Sequence, residues 1–110
     1  MSESMVPDTG ARAVDLFIRW SNNELDEVRR DFDTTMLDRL TEAALAEAWR
    51  QVVDMVGGYQ GIGESVVRVR ADFTVVDVQL RFEDGPMMGR VAYDSDGRIA
   101  GLFILFPCVA

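Results

Sequence analysis

The sequence predicts an α+β domain in which three to four N-terminal helices cover one face of a curved, four-stranded antiparallel sheet. Three observations point there. Apolar residues recur at three- and four-residue spacing over residues 10 to 56, the period changes to two from Tyr59 onward, and the turn sequences DG at 84–85 and DSDGR at 94–98 divide the second half into consecutive short strands. Helices gathered ahead of strands, rather than alternating with them, give an antiparallel sheet with its helices on one side. A chain of 110 residues buries roughly 60 to 70% of its unfolded surface, so one core suffices, and we expect a single domain over residues 9–110 behind a flexible N-terminus of residues 1–8.

The helices follow in order. In ARAVDLFIRWSNN, Val14, Phe17, Ile18 and Ser21 share a face with Trp20 beside it, and Asn22-Asn23 ends the helix. A shorter helix from about Leu25 to Phe32 presents Val28 and Phe32, after which Asp33-Thr34 caps a turn carrying Met36, Leu37 and Leu40. Thr41 is an N-cap residue with Glu42 in the first turn behind it. Leu45, Ala48, Trp49, Val52 and Met55 then make one apolar stripe, which Gly57-Gly58 stops.

The strands alternate. SVVRVR offers Val67 and Val69 to the core and turns Arg68 and Arg70 outward, while TVVDVQLRF sets Thr74, Val76, Val78, Leu80 and Phe82 against Val75, Asp77, Gln79 and Arg81. A tight hairpin at Asp84-Gly85 pairs Phe82 with Met87, Leu80 with Gly89, Val78 with Val91 and Val76 with Tyr93. A type I turn with left-handed Gly97 then places Asp94 opposite Arg98, Tyr93 opposite Ile99, Val91 opposite Gly101 and Gly89 opposite Phe103. This register sends Met87, Val91, Tyr93, Ile99, Phe103 and Leu105 to the core. It leaves Met88, Ala92, Ala100, Leu102, Ile104 and Phe106 outside, interrupted by Arg90. The run GLFILFP is apolar on both faces, so its outer residues join a contiguous patch of the kind that marks an interface.

Composition removes whole classes of function. A formal charge of -8 disfavours nucleic acid and anionic membrane as partners. The absence of histidine removes Ser-His-Asp and Cys-His catalysis and imidazole zinc sites, and no metal or cofactor is expected. The single cysteine, Cys108, forms no intramolecular disulfide and is expected to be an idle thiol. MSESMVPDTGARAV lacks the charged flank and apolar run of a signal peptide, which fits a soluble, cytoplasmic protein.

Two motifs have simpler readings than their chemistry suggests. YDSDGR alternates acids like a calcium loop but lacks the terminal bidentate Glu and runs into a strand, which makes it a turn. Gly57, Gly58, Gly61 and Gly63 follow a helix and precede a strand, the reverse of a nucleotide-binding loop, and read as a helix stop and a bulged strand.

The order of helices followed by a four-strand meander resembles the nuclear-transport-factor-two-like, or cystatin-like, superfamily. Phe32-Asp33, Met36, Leu45, Trp49, the glycine before Tyr59, the strand Val76-x-Val78-x-Leu80-x-Phe82 and DGRIAGLFILFP resemble a bacterial family of domains of unknown function. Members of that family often stand in front of α/β-hydrolase domains. The resemblance covers roughly residues 11 to 107 and supplies no catalytic residues. The sequence stops at Ala110 with no hydrolase following, so an appendage role would be played in trans or replaced. The superfamily implies a cone whose concave side encloses a pocket, lined here by Phe17, Trp20, Trp49, Met55, Tyr59, Tyr93 and Phe103. Gly89 and Gly101 leave either room for a ring or a notch for a ligand. Some members place an Asp base and a Tyr donor in the pocket, for which Tyr59 or Tyr93 with Asp72 or Asp77 are the candidates, although the register puts Asp77 outside.

The expected function is a non-enzymatic dimerisation module in which Met88, Arg90, Ala92, Ala100, Leu102, Ile104 and Phe106 meet a second copy, with Arg90 pairing with an acid across the interface. The alternative is a small apolar-ligand-binding or isomerase-like domain that uses the pocket. A segment such as Met5, Val6 and Pro7 reaching over a sheet edge would instead leave the chain monomeric.

Overall fold

The computed structural model describes residues 9–106. The expectations for residues 1–8, including Met5, Val6 and Pro7, and for Pro107 and Cys108 lie outside that range.

Four helices precede four strands: α1 (Thr9–Ser21), α2 (Leu25–Arg29), α3 (Thr34–Arg39), α4 (Glu42–Val56), β1 (Tyr59–Arg70), β2 (Phe73–Phe82), β3 (Gly85–Tyr93) and β4 (Ile99–Leu105). The strands form one antiparallel meander in the order β1-β2-β3-β4. The α+β architecture is the one the period change predicts.

Local chemistry sets the helix ends. The Asp33 carboxylate accepts from the Met36 N–H at 2.8 Å and the Thr41 hydroxyl accepts from the Ala44 N–H at 3.1 Å, so α3 and α4 each begin on a side-chain cap. Gly57 ends α4 at φ 85°, a backbone state that costs glycine nothing. The second helix is shorter than its periodicity predicts. Phe32 leaves it to form a parallel bridge with Ile99, held by Ile99 N–H to Asp31 carbonyl at 2.7 Å and Asp33 N–H to Ile99 carbonyl at 2.9 Å.

The core lies between the helices and one face of the sheet. Phe17, Trp20, Val28, Leu45, Val76, Val78, Leu80, Met87, Val91 and Tyr93 are all buried in it. Gly89 is where α1 seats itself, because a Cβ there would stand 2.4 Å from Phe17 Cζ. The missing side chain leaves the space that the ring fills.

Two registers differ from the sequence reading. The β2–β3 hairpin turns on Glu83-Asp84, so Phe82 pairs with Gly85, Leu80 with Met87, Val78 with Gly89 and Val76 with Val91. The slide is by two residues, which preserves every face. Its cause is tertiary: the turn is held against the end of α4, with Asp84 N–H donating to Val56 carbonyl at 2.7 Å and Gly58 N–H donating to the Glu83 carboxylate at 2.8 Å.

The second difference does change faces. Tyr93 pairs with Ile99 as expected, but Ala92 pairs with Gly101, Val91 with Leu102, Arg90 with Phe103 and Met88 with Leu105. Ala100 is the extra residue of a β-bulge and has no partner opposite. Beyond the bulge β4 reverses its parity. Leu102 is 7% exposed and Ile104 packs against the core, while Phe103 is 51% exposed and Leu105 also faces outward. The predicted places of these four residues are exchanged.

In β1 the bulges between Tyr59 and Gly61 and between Ile62 and Ser65 give way to regular pairing from Ser65 to Arg70. Val67 and Val69 lie on the helix-side face, as read, but they are 48% and 74% exposed. The far end of the β1–β2 arm therefore runs past the helices. Leu102→Ala is expected to cost about 2–4 kcal/mol in urea unfolding, and Phe103→Ala well under half of that, in chains held monomeric by dilution. Equal losses would contradict the bulge.

Candidate functional site

Among the described residues the outer face of the sheet carries no helix, and its composition follows from the alternation of strands whose other side chains are in the core. Val66 and Arg68 from β1, Phe73, Val75, Asp77 and Gln79 from β2, Met88, Arg90 and Ala92 from β3, and Phe103 and Leu105 from β4 share it. The Phe103 ring lies across its neighbours, 3.1 Å from where a Gly101 Cβ would be. Apolar groups thus flank both sides of a charged centre.

That centre is Asp77, 8% exposed. Its carboxylate accepts from Arg90 Nε at 2.7 Å, from Arg90 Nη2 at 3.2 Å and from Arg68 Nη2 at 2.5 Å. Two guanidiniums from the neighbouring strands, Arg90 with two bonds and Arg68 with one, therefore satisfy one carboxylate. The hydrogen bond to Asp77 raises the Arg90 pKa above its ordinary value, against a smaller opposing effect of burial. The acid expected across an interface for Arg90 is found within its own chain. Beside the cluster lies a groove of about 290 Å³, lined by Glu64, Val66, Arg68, Asp77, Gln79, Pro86, Met87 and Met88.

Of the predicted interface residues, Met88, Arg90 and Ala92 stand on this face, Ala100 sits in the bulge, Leu102 and Ile104 turn to the core side, and Phe106 is exposed past the end of β4. Phe103, Leu105, Val66 and Phe73 were missed as surface residues. For Phe103 and Leu105 nothing in the alternation distinguished the two faces of an all-apolar strand; for Val66 and Phe73 the alternation did place them outward.

Of the predicted pocket residues, Phe17, Trp20, Trp49 and Tyr59 come together, whereas Met55, Tyr93 and Phe103 stand apart from them. Phe17, Trp20, Trp49, Tyr59 and Phe82 form a run of rings with successive centroids 5.4 to 6.0 Å apart, filling the space between helices and sheet. Met55 is exposed on α4 and Phe103 lies on the opposite face of the sheet. Gly89 is a seat for Phe17, and Gly101 faces outward beside Phe103 and Ala92.

Tyr93 is buried apart from that run, under Arg12, whose guanidinium carbon is 4.6 Å from the ring centroid. Arg12 also donates to Asp31 at 3.1 Å and to the Gly97 carbonyl at 2.9 Å. Burial pushes the Tyr93 phenol from 10.0 up to about 12, and burial also raises Tyr59. Asp77 lies on the face of the sheet opposite both tyrosines, and Asp72 is exposed in the β1–β2 turn, so neither carboxylate meets a tyrosine to form an acid–base pair. In YDSDGR the Asp94 carboxylate accepts from the Asp96 and Arg98 N–H groups, each at 2.9 Å, which makes it a turn-stabilising group.

The family model described as "Protein of unknown function (DUF3887)" matches residues 14–102. The chain belongs to this family. A DUF3887 assignment over that range takes in the helical layer and the sheet as far as Leu102. The chain is also similar to a solved structure, an NMR structure of a protein from Ruminococcus gnavus ATCC 29149, with TM-score 0.64 and 15% sequence identity over 88% of this chain and 89% of that one. At that identity the likeness is one of fold. No curated protein matches the sequence. No helix among the described residues of this DUF3887 domain is long and apolar enough to cross a membrane.

Two measurements check the site. Removing both guanidiniums in Arg68→Ala/Arg90→Ala strands a mostly buried carboxylate and is expected to cost about 2–4 kcal/mol in urea unfolding, with each single variant losing about half or less. A double variant as stable as wild type would show that Asp77 has other support. Tyr93 binds its proton more tightly folded than unfolded, so its contribution is complete below about pH 10 and is lost as the pH rises towards about 12. Stability should fall across that window, and Tyr93→Phe should flatten the fall.

Proposed function

We propose that this DUF3887 domain is a protein-interaction module of nuclear-transport-factor-two-like architecture, working by contact rather than chemistry, and that the outer face of its sheet stacks on the same face of a second copy. The observation that carries this reading is that Phe103, Leu105, Met88, Ala92, Val75 and Val66 are gathered on a sheet face with no layer of the chain's own over it among the described residues.

Size supports it. Strands roughly 4.8 Å apart, with roughly 3.3 Å of rise per residue, give four strands a face of about 20 by 30 Å, or roughly 600 Å² in projection. A stable interface covers roughly 800 Å² of accessible surface on each partner. The Asp77 carboxylate enters such a contact already engaged by Arg68 and Arg90, and the cluster as a whole keeps one positive charge. The filled interior favours contact over an enclosed ligand: Phe17 occupies the notch at Gly89, where the pocket alternative needed room.

Phe103→Glu places a charge on the β4 side of the stacked face without touching the core. Light scattering coupled to size exclusion should show the assembly mass halved, with the far-UV circular dichroism unchanged. An unchanged mass would overturn the reading.

A further inference from the structure

The two edges of the sheet are treated differently. The β4 edge is paired at its first residue by the chain itself, through the Phe32–Ile99 bridge and its two hydrogen bonds. The β1 edge has no strand beside it among the described residues. Bulges and glycines irregularise the first half of β1, which is how natural edges are commonly protected. From Ser65 to Arg70 that protection stops. The strand is regular there, with Val67 and Val69 on the helix side and Val66, Arg68 and Arg70 on the outer side, and Val66, Val67 and Val69 are all exposed.

The backbone of this segment has bonds to give. Arg70 and Phe73 close a two-residue turn, so Arg70, Arg68 and Val66 exchange bonds with β2, and the alternation points the N–H and C=O groups of Val69, Val67 and Ser65 to the open edge. Those groups need a partner strand, and the side chains specify which one.

We infer that β1 pairs antiparallel with β1 of a second copy about a two-fold axis at Val67, joining two sheets into one of eight strands. An antiparallel two-fold pairing keeps like faces together, so it must centre on a residue. Centring on Arg68 sets two arginines opposite each other, and centring on Val69 sets Arg68 opposite the partner's Arg70. Centring on Val66 draws the irregular residues before Ser65 into the ladder and sets Arg70 opposite the partner's Ile62. Val67 is the centre that sets no like charges opposite each other, and of the irregular stretch before Ser65 it draws in Glu64 alone. It joins Val67 to the partner's Val67 and Val69 to the partner's Ser65, and it sets Arg70 opposite the partner's Glu64 twice over. Among the described residues Arg70 takes part in no ion pair within its own chain. The two-fold runs normal to the sheet, whereas the one relating stacked outer faces lies in its plane, so both contacts are compatible in a closed tetramer.

The test is oxidative cross-linking in a Cys108→Ser background, with and without Phe103→Glu, so that loss of the stacked face does not mask the edge. Directly opposed Val67 residues lie roughly 5.5 Å apart at Cα, within disulfide range. The two Val66 residues are offset along the strands and about 8 Å apart, beyond it. Val67→Cys is expected to give a disulfide-linked dimer in both backgrounds and Val66→Cys to give little. Adding Glu64→Arg to Val67→Cys should slow the cross-link on the order of fivefold, and adding Arg70→Glu as well should restore it. The inference is overturned if Val67→Cys does not cross-link, if Val66→Cys cross-links equally, or if the charge exchange fails to restore the rate.

Discussion

Phe17 resting on Gly89 is the contact from which the rest of the molecule is arranged. A helix approaches a sheet closely only where the strand beneath yields volume, and here the yield is a whole side chain, taken up by one ring. From Phe17 the packing passes to Trp20, whose indole N–H donates to the Leu45 carbonyl at 2.9 Å, then to Trp49 and on to Tyr59 and Phe82. One run of aromatic rings ties the first helix to the fourth and both to the sheet. It also takes up the notch that Gly89 leaves in the inner face.

The polar interactions keep the sheet in register with that layer. The β2–β3 turn is clamped to the end of α4 through Glu83 and Asp84, and the segment between α2 and α3 is clamped to β4 through Asp31 and Asp33. Each clamp uses backbone groups that a helix end or strand edge would otherwise leave unpaired. The Asp77 cluster has another effect. Three charged groups from adjacent strands tie β1, β2 and β3 together across the outer face and leave one net positive charge at its centre.

Membership of a family of unknown function, together with shared fold at 15% identity, is what this division of labour would produce. Apolar periodicity and a few small residues suffice to rebuild the helical layer and the meander.

The sequence by itself determined the helical half, its caps at Asp33, Thr41 and Gly57, the order of the strands and the inward faces of β2 and β3, because each rests on spacing or on one residue's backbone chemistry. It also placed Asp77 outside and identified YDSDGR as a turn. Only the tertiary structure decided the position of the β2–β3 turn, which docking against α4 moved by one residue so that the pairing slid by two, and the parity of β4, which the bulge at Ala100 reversed. A strand apolar on both sides carries no mark of which side is buried. Phe103 and Leu102 are equally fit for a core, and the choice between them fell to the packing of a strand whose near end is fastened to Asp31 and Asp33.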